Sequence, residues 1–116
     1  MEYEDKLLQG WEEIYKRGQL TLWVLLALRH GSKNMDEVRA WLDQSTDGAI
    51  TAEERSLYRV LQRFHTIELV TFTHRSGKRG PNQKVYQLSP LGERLLQRFI
   101  ERNLKVFDKP DIRKLL

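Results

Sequence analysis

The feature that most limits the fold of this chain is an amphipathic segment at residues 52–66. Apolar side chains recur there at i, i+3, i+4 and i+7 and form a single helical stripe, which consists of Leu57, Val60, Leu61 and Phe64. Arg55, Arg59 and Gln62 fall on the opposite side. The spacing predicts a helix that buries one face and presents a cationic face to its surroundings.

The residues before this stripe predict where the helix begins. The sequence "TAEE" at 51–54 has the form of a capping box, with Thr51 as the N-cap and Glu54 at the third helical position. Between Glu54 and Glu68 the segment contains no acidic residue. A surface helix kept only for solubility usually interleaves acids for i, i+4 pairing. The absence of such acids therefore favours a polyanionic partner.

Two strand-like segments follow the helix and enclose a basic loop. Residues 69–73, "LVTFT", alternate and are rich in β-branched and aromatic side chains, and residues 85–88 form a second such run. The intervening loop has no acid and carries four cations: Arg75, Lys78, Arg79 and Lys84. The pattern predicts a hairpin whose loop, residues 74–84, we call the wing.

The rest of the chain reads as helices. Apolar periodicity predicts helices at 5–17 and 19–30, and Asn34 with Glu37 predicts the cap of a third. Ser89-Pro90 predicts the start of the last helix. The fold class is therefore mainly α with a small β-hairpin, a winged helix-turn-helix with extra N- and C-terminal helices. We expect one domain at 1–116, with a core at 18–90, an N-terminal helix at 1–17 and a C-terminal helix at 90–107.

The charge is unevenly distributed along the chain. Residues 1–50 carry 6 Lys/Arg and 9 Asp/Glu, whereas residues 51–105 carry 11 and 5. This asymmetry favours a polyanion on one face. The chain has no cysteine, which excludes disulfides and thiolate metal sites. The acidic N-terminus and the short apolar runs lead us to expect a cytoplasmic protein without membrane contact.

The helix and the wing together suggest a surface for double-stranded DNA. An α-helix fits the major groove, and lysines and arginines of a neighbouring loop can neutralise phosphates. We expect base or phosphate contacts from eleven residues: Thr51, Arg55, Ser56, Tyr58, Arg59, Gln62, Arg63, Arg75, Lys78, Arg79 and Lys84.

The two terminal helices carry broad apolar faces that are hard to bury within so small a domain. We expect them to pair with those of a second copy in a two-fold dimer, which would place two recognition helices about 34 Å apart on DNA. The residues expected in the dimer contact are Leu7, Leu8, Trp11, Leu95, Leu96, Phe99, Ile100 and Leu104.

The sequence leaves two alternatives to DNA binding and disfavours a third. Trp11, Trp23, Trp41, Phe99 and Phe107 suggest an effector pocket, although such residues at helical spacing more often form core or interface. The apolar terminal helices also suit a protein-interaction module. An enzyme is not expected, because the three histidines have no metal-ligand spacing and no phosphate-binding glycine motif occurs. No cofactor is expected, and a small-molecule effector stays an open alternative.

The motifs of residues 18–100 resemble the PadR-like transcriptional regulators. "RSLYRVLQRF", with the pair Leu57-Tyr58, resembles the recognition helix of that family, and "GQLTLWVLLAL" resembles its first core helix. The wing closes in the same pattern, with Gly80, Lys84, Tyr86, Leu88, Ser89 and Gly92. Two features depart from the family: Asn34-Met35 stands where a Gly-Tyr pair is usual, and the helix at 5–17 is longer than in many members.

The resemblance implies a dimeric winged-helix DNA-binding protein, most often a repressor, with the C-terminal helix making the dimer. It implies a DNA-contacting role for Tyr58 and wing cations at Arg79 and Lys84. It also places the chain in a compact branch that includes multidrug-sensing repressors and a cyanobacterial clock regulator, Pex, with the general likeness favouring the clock type. We therefore expect a homodimeric, sequence-specific repressor on a palindromic promoter site, with helix 52–66 in the major groove and the wing on the backbone or minor groove.

Overall fold

The helices and the hairpin occur in the order that the sequence predicts. The computed structural model describes residues 2–76 and 82–116. The elements within these residues are α1 (Glu2–Lys16), α2 (Gln19–His30), α3 (Met35–Ser45), α4 (Glu54–Thr66), β1 (Val70–Arg75), β2 (Gln83–Leu88), α5 (Pro90–Asn103), a 3₁₀ turn (Lys105–Asp108) and α6 (Pro110–Arg113). The predicted fold class, mainly α with a two-stranded hairpin, is confirmed.

The core lies between α2, α3 and α4. Val24 and Ala27 of α2 are fully buried, and they pack in one cluster with Val38 of α3. The predicted stripe of α4 faces this cluster, since Leu57 and Leu61 have no solvent exposure. The remaining stripe residues also pack there, Phe64 as a buried and Val60 as a half-buried side chain. The apolar period of α4 therefore determines which of its sides faces outwards.

Two of the predicted helix caps form as expected. The Asn34 carboxamide accepts a hydrogen bond from the Glu37 N–H at 2.8 Å, and the Glu37 carboxylate accepts one from the Asn34 N–H at 2.9 Å. At α5 the Ser89 hydroxyl accepts from the Gly92 N–H at 2.9 Å, with Pro90 at the first helical position. These pairs satisfy N–H groups that a helix start otherwise leaves without partners.

The predicted cap at Thr51 is wrong. Helix α4 begins at Glu54 with Glu53 as its N-cap residue, and no side chain caps it. Tertiary packing explains the difference, because Ile50 is buried and Ala52 packs against the core. In an extended segment alternate residues point inwards, so Thr51 between them points to solvent. Because the two neighbours of Thr51 pack inwards, the N-cap of α4 lies two residues later than predicted.

The hairpin is longer than the sequence predicts. The strands pair antiparallel from Val70↔Leu88 out to Arg75↔Gln83. Two wing residues, Arg75 and Lys84, are therefore in strands rather than in the loop. Residues 77–81 lie outside the described part of the chain, and with them the predicted phosphate contacts Lys78 and Arg79.

The terminal helices expose most of their apolar side chains. Helix α1 has no buried residue, and Trp11 is 70% exposed. On α5, Leu95 and Phe99 are also exposed, and Ile100 is half-buried. Each of these faces is free to meet another surface.

Leu96 is the most deeply buried member of the expected dimer set. It is 1% exposed and lies inside its own subunit, on the side of α5 that packs on α2. Arg29 of α2 fixes this packing by donating to Gln97 at 3.1 Å. Leu96 also lines a groove between α4 and α5 together with Leu95 and Phe99, so its role in a subunit contact stays a prediction. Leu95, one position earlier, projects from a different side of the helix.

Within the described residues, no helix is both long enough and apolar enough to cross a bilayer.

Candidate DNA-binding surface

The outer side of α4 presents its arginines without neutralisation. Arg55, Arg59 and Gln62 are exposed, opposite the buried stripe. In the described part of the chain, neither arginine forms an ion pair. The only acid of α4 is Glu54 in its first turn, where a negative charge suits the helix dipole. The face is therefore free to bind a polyanion.

Tyr58 lies on the flank of α4 that faces the hairpin. It is 46% exposed and lines an open cleft of about 270 Å³ together with Lys84 and Tyr86 of β2. Lys84 lies over Phe72, with its Nζ 4.6 Å from the ring centroid. Burial, and to a smaller extent the nearby Tyr58, raises the pKa of Tyr86, so this phenol stays protonated. The acids Asp36 and Glu54 line the same cleft, so helix and hairpin present polar groups and charges of both signs on one surface.

Arg63 and Ser56 lie on the other flank of α4. Both are exposed. Arg63 lines a groove of about 500 Å³ with Phe64, Leu95 and Phe99. Arg63 thus borders the apolar side of α5. Of the predicted DNA contacts, Arg63 is the residue that a partner bound in this groove would also contact.

Thr51 lies apart from the arginine face. It lines a small cleft with Asp36, Arg39 and Asp43 of α3. Two of the three charged neighbours are acids, which disfavours a phosphate at this position. Thr51 stays a predicted contact.

Arg75 has a partner that the sequence did not reveal. Its guanidinium donates to the Glu37 carboxylate, with 3.0 Å between Nη2 and Oε1. The Asn34 N–H, and after it the Arg75 guanidinium, holds the pKa of the Glu37 carboxyl below its ordinary value. Glu37 is therefore charged at neutral pH. Arg75 is thus paired with α3, and its phosphate contact stays a prediction.

Lys33 is a further residue that the sequence reasoning missed. It is 8% exposed, and its ammonium donates to the carbonyls of Ala27 at 2.7 Å and Gly31 at 3.1 Å. It also lies 2.9 Å from His30 Nδ1. Burial lowers the pKa of Lys33. A lysine just beyond a helix end is a recognised signal for bonds to the last carbonyls, and that signal marks Lys33.

The profile of the "Transcriptional regulator PadR-like family" matches residues 24–98, which is more than half of the chain. The chain belongs to this PadR-like family. The match spans α4 and the whole hairpin, so the surface described above is part of the PadR-like domain.

Solved structures of PadR-like proteins share the fold. A PadR family regulator from Eggerthella lenta DSM 2243 is 22% identical, with 99% of this chain matching 97% of that chain at a TM-score of 0.72. Bacillus subtilis PadR in complex with operator DNA is 18% identical and matches over 70% of this chain and 46% of that chain, with a TM-score of 0.64. Both show that the PadR-like winged-helix fold extends to this chain.

The clock-associated protein Pex from Anabaena has the fold as well. It is 17% identical, and 77% of this chain matches 80% of that chain at a TM-score of 0.59. This score is lower than that of the Eggerthella protein, and the likeness concerns the fold alone. No curated protein matches the chain significantly.

Proposed function

We propose that this PadR-like protein is a homodimeric repressor that binds a palindromic promoter site, with α4 in the major groove and the wing on the flanking backbone or minor groove. The observation that carries the proposal is the shared surface of α4 and β2, where Tyr58 and Lys84 line one cleft beside the unpaired arginines. One duplex can touch both elements at once. The operator complex of the Bacillus subtilis protein supports DNA as the partner class.

Roles follow from position on this surface. Arg55, Arg59 and Gln62 project from the centre of the exposed side of α4, so we assign them to base edges or nearby phosphates. Tyr58 and Lys84 lie at the hairpin flank, where we expect phosphate contacts. Ser56, Arg63 and Thr51 are assigned outer backbone contacts. Lys78 and Arg79 keep their predicted wing role on the basis of sequence.

The dimer is proposed from the exposed face of α1. This amphipathic helix buries none of its residues within the subunit. The groove beside α5 is lined by Leu95 and Phe99, two residues of the expected contact. We assign α1 of a second copy to this groove, with Leu7, Leu8 and Trp11 as its apolar contacts.

Charge supports the same pairing. Helix α1 carries five acids and two lysines, while α5 carries three arginines and two glutamates. Their opposite net charges favour the pairing of α1 with α5 over the pairing of two copies of α1.

The test is selection of bound duplexes from a random pool, followed by titration of the selected duplex at several salt concentrations. We expect a two-fold symmetric site, with log affinity falling by about 0.9 per phosphate neutralised for each tenfold rise in salt. Sedimentation of the complex should give two subunits per duplex. Failure to bind any duplex at low salt would instead favour the protein-interaction module.

The effector alternative is supported by one observation and weakened by another. The groove beside α5 is mostly apolar and large enough for a small planar molecule. However, Trp23 and Trp41 pack against the core, with their ring centroids 6.4 Å apart, and are not free to line it. Quenching of the tryptophan fluorescence by planar hydrophobic compounds would support this alternative, and a flat titration would count against it.

A further inference from the structure

The hairpin is attached to the helical core at its base by a backbone bridge. The Lys33 N–H donates to the Tyr86 carbonyl at 3.0 Å, and the Tyr86 N–H donates to the Lys33 carbonyl at 2.8 Å. The buried Lys33 side chain in turn bonds to carbonyls at the end of α2. This bridge fixes the position of β2 at one point along its length.

A second attachment lies further out. Arg75 and Gln83 face each other as the outermost pair of the strand register. Each is held by the first turn of α3: Asn34 Nδ2 donates to Gln83 Oε1 at 2.9 Å, and Arg75 Nη2 donates to Glu37 Oε1 at 3.0 Å. Gln83 is three residues from Tyr86, which corresponds to about 10 Å along a strand. We call Asn34, Glu37, Arg75 and Gln83 the wing clamp.

The two α3 residues of the clamp are themselves fixed. Asn34 and Glu37 form the reciprocal bonds of the capping box at the start of α3. Helix α3 packs through Val38 and Leu42 into the same buried cluster as α4. The clamp is therefore tied, through α3, to the orientation of the recognition helix.

A hairpin of two strands is only marginally stable alone, and its twist varies. If the backbone bridge at Tyr86 were the only attachment of β2, the outer part of the hairpin could tilt about this residue. A second attachment some 10 Å away removes that freedom. The tilt matters because the hairpin carries Lys84 and leads to the predicted wing cations Lys78 and Arg79.

We propose that Asn34 and Glu37 are positioning residues that set the angle of strands β1 and β2 relative to α4 through their bonds to Gln83 and Arg75. This inference rests on the proposed DNA-binding function and adds to it a role for two residues that are not DNA contacts. It also reassigns Arg75, because Arg75 acts through Glu37 and not by binding a phosphate.

If Glu37 acted only through its charge, its removal would change the DNA affinity in the opposite direction. An acid beside a DNA-binding surface repels phosphates, so its removal should tighten binding. If Glu37 positions the wing, its neutralisation should weaken binding to the flanks of the site. The two explanations therefore differ in sign.

The experiment uses the duplex selected from a random pool in two lengths, one with flanking base pairs for the wing and one cut back to the α4 contacts. Glu37→Gln keeps the cap, since glutamine serves at this position of a capping box, but removes the ion pair. Gln83→Ala breaks the second bond without a charge change. We expect each variant to lose roughly two- to fivefold in affinity per half-site on the long duplex, and to match wild type within twofold on the short one.

Asp36→Asn is the matched control for Glu37→Gln. Asp36 is exposed, neighbours Glu37 on α3 and makes no ion pair within the described residues, so its variant has the same charge change without loss of the clamp. We expect it to bind as wild type or slightly tighter on both duplexes. A loss for Glu37→Gln but not for Asp36→Asn would support positioning.

Arg75→Gln in the Glu37→Gln background tests the reassignment. If Arg75 acts through the clamp, this second change costs little and leaves the salt dependence unchanged. A further loss, together with a salt slope shallower by about 1, would make Arg75 a phosphate ligand and overturn its reassignment to the clamp.

Equal binding of Glu37→Gln, Gln83→Ala and wild type on the long duplex would overturn the positioning role of Asn34 and Glu37 while the proposed function stands. Failure of wild type to bind any duplex would overturn both.

Discussion

Gly92, in the first turn of α5, lies directly against the backbone of Leu69 at the start of the hairpin. A Cβ on Gly92 would overlap the Leu69 carbonyl oxygen and lie 3.1 Å from its carbon. The Ser89 N–H donates to the same carbonyl at 3.0 Å, and the Ser89 hydroxyl donates to the neighbouring Glu68 carbonyl at 2.7 Å. The start of α5 is thereby fixed on the turn that joins α4 to β1, and no side chain fits between them.

Gly92→Ala should therefore destabilise the protein. The backbone at Leu69 has to shift, and overpacking of this kind costs about 1–3 kcal/mol. Urea denaturation monitored by tryptophan fluorescence measures the change. The control is Gly10→Ala in α1, where no atom lies within 4 Å of the added methyl and helix propensity favours alanine. Equal stability of Gly92→Ala and wild type would show that the close approach is not present.

Glu68→Gly should stabilise the protein. Glu68 has a φ of 67°, a left-handed conformation that is costly for a residue with a Cβ. It lies just past α4, where the Glu68 N–H donates to His65 O at 3.1 Å and the Leu69 N–H donates to Phe64 O at 2.9 Å. Glycine is preferred at this position, and we expect a gain of about 1 kcal/mol in denaturation. Glu68→Ala, which keeps the strain but removes the charge, should show no such gain.

Trp11→Glu should separate the subunits. The change places a charge in the middle of the exposed apolar face of α1, which we assign to the groove of a second copy. Sedimentation velocity should show a shift from dimer to monomer at micromolar concentration. Gln9→Glu introduces the same charge on the opposite side of α1, and the dimer should persist. A wild-type protein that sediments as a monomer would contradict the proposed dimer.

Arg59→Ala and Lys84→Ala should weaken DNA binding in different ways. Arg59 projects from the centre of the exposed side of α4, so its loss should cost about 1–3 kcal/mol on the selected site and relax the preference at one position. Lys84 lies at the hairpin flank, so its loss should weaken all sequences about equally and lower the salt slope by about 1. Anisotropy titrations with cognate and scrambled duplexes measure both effects. A uniform loss for Arg59→Ala would remove it from base reading.

The stabilising effect of Glu37 should depend on pH in the acidic range. The folded-state pKa of Glu37 is lowered, chiefly by the Asn34 N–H, so its contribution to stability is present above the unfolded value of about 4.3. That contribution declines as the pH falls below this value and is lost as the pH passes through the folded pKa. With the two side chains 46% and 51% exposed, we expect less than about 1 kcal/mol. Urea denaturation of wild type and Glu37→Gln between pH 2 and 7 should show curves that converge at the acidic end. A difference unchanged at pH 2 would contradict this account.

The sequence predicted well those elements whose signals are local. The period of α4 identified its buried residues, and the caps at Asn34 and Ser89 formed as their side chains predict. The prediction at Thr51 was wrong because the burial of Ile50 keeps the preceding segment extended. The burial of Leu96 within its own subunit was not evident from the sequence, because the period of a single helix does not reveal how its broad apolar side is divided between α2 and a partner.

The sequence by itself determined which elements form and which of their faces are apolar or cationic, because periodicity and capping depend on residues within a few positions of each other. Only the tertiary structure decided which distant residues meet. The pairs Glu37–Arg75 and Asn34–Gln83, separated by 38 and 49 positions, come together because the core orients α3 against the hairpin. The same packing brings Tyr58 and Lys84 to one cleft. Contacts of this kind depend on the relative placement of whole elements, which no local pattern specifies.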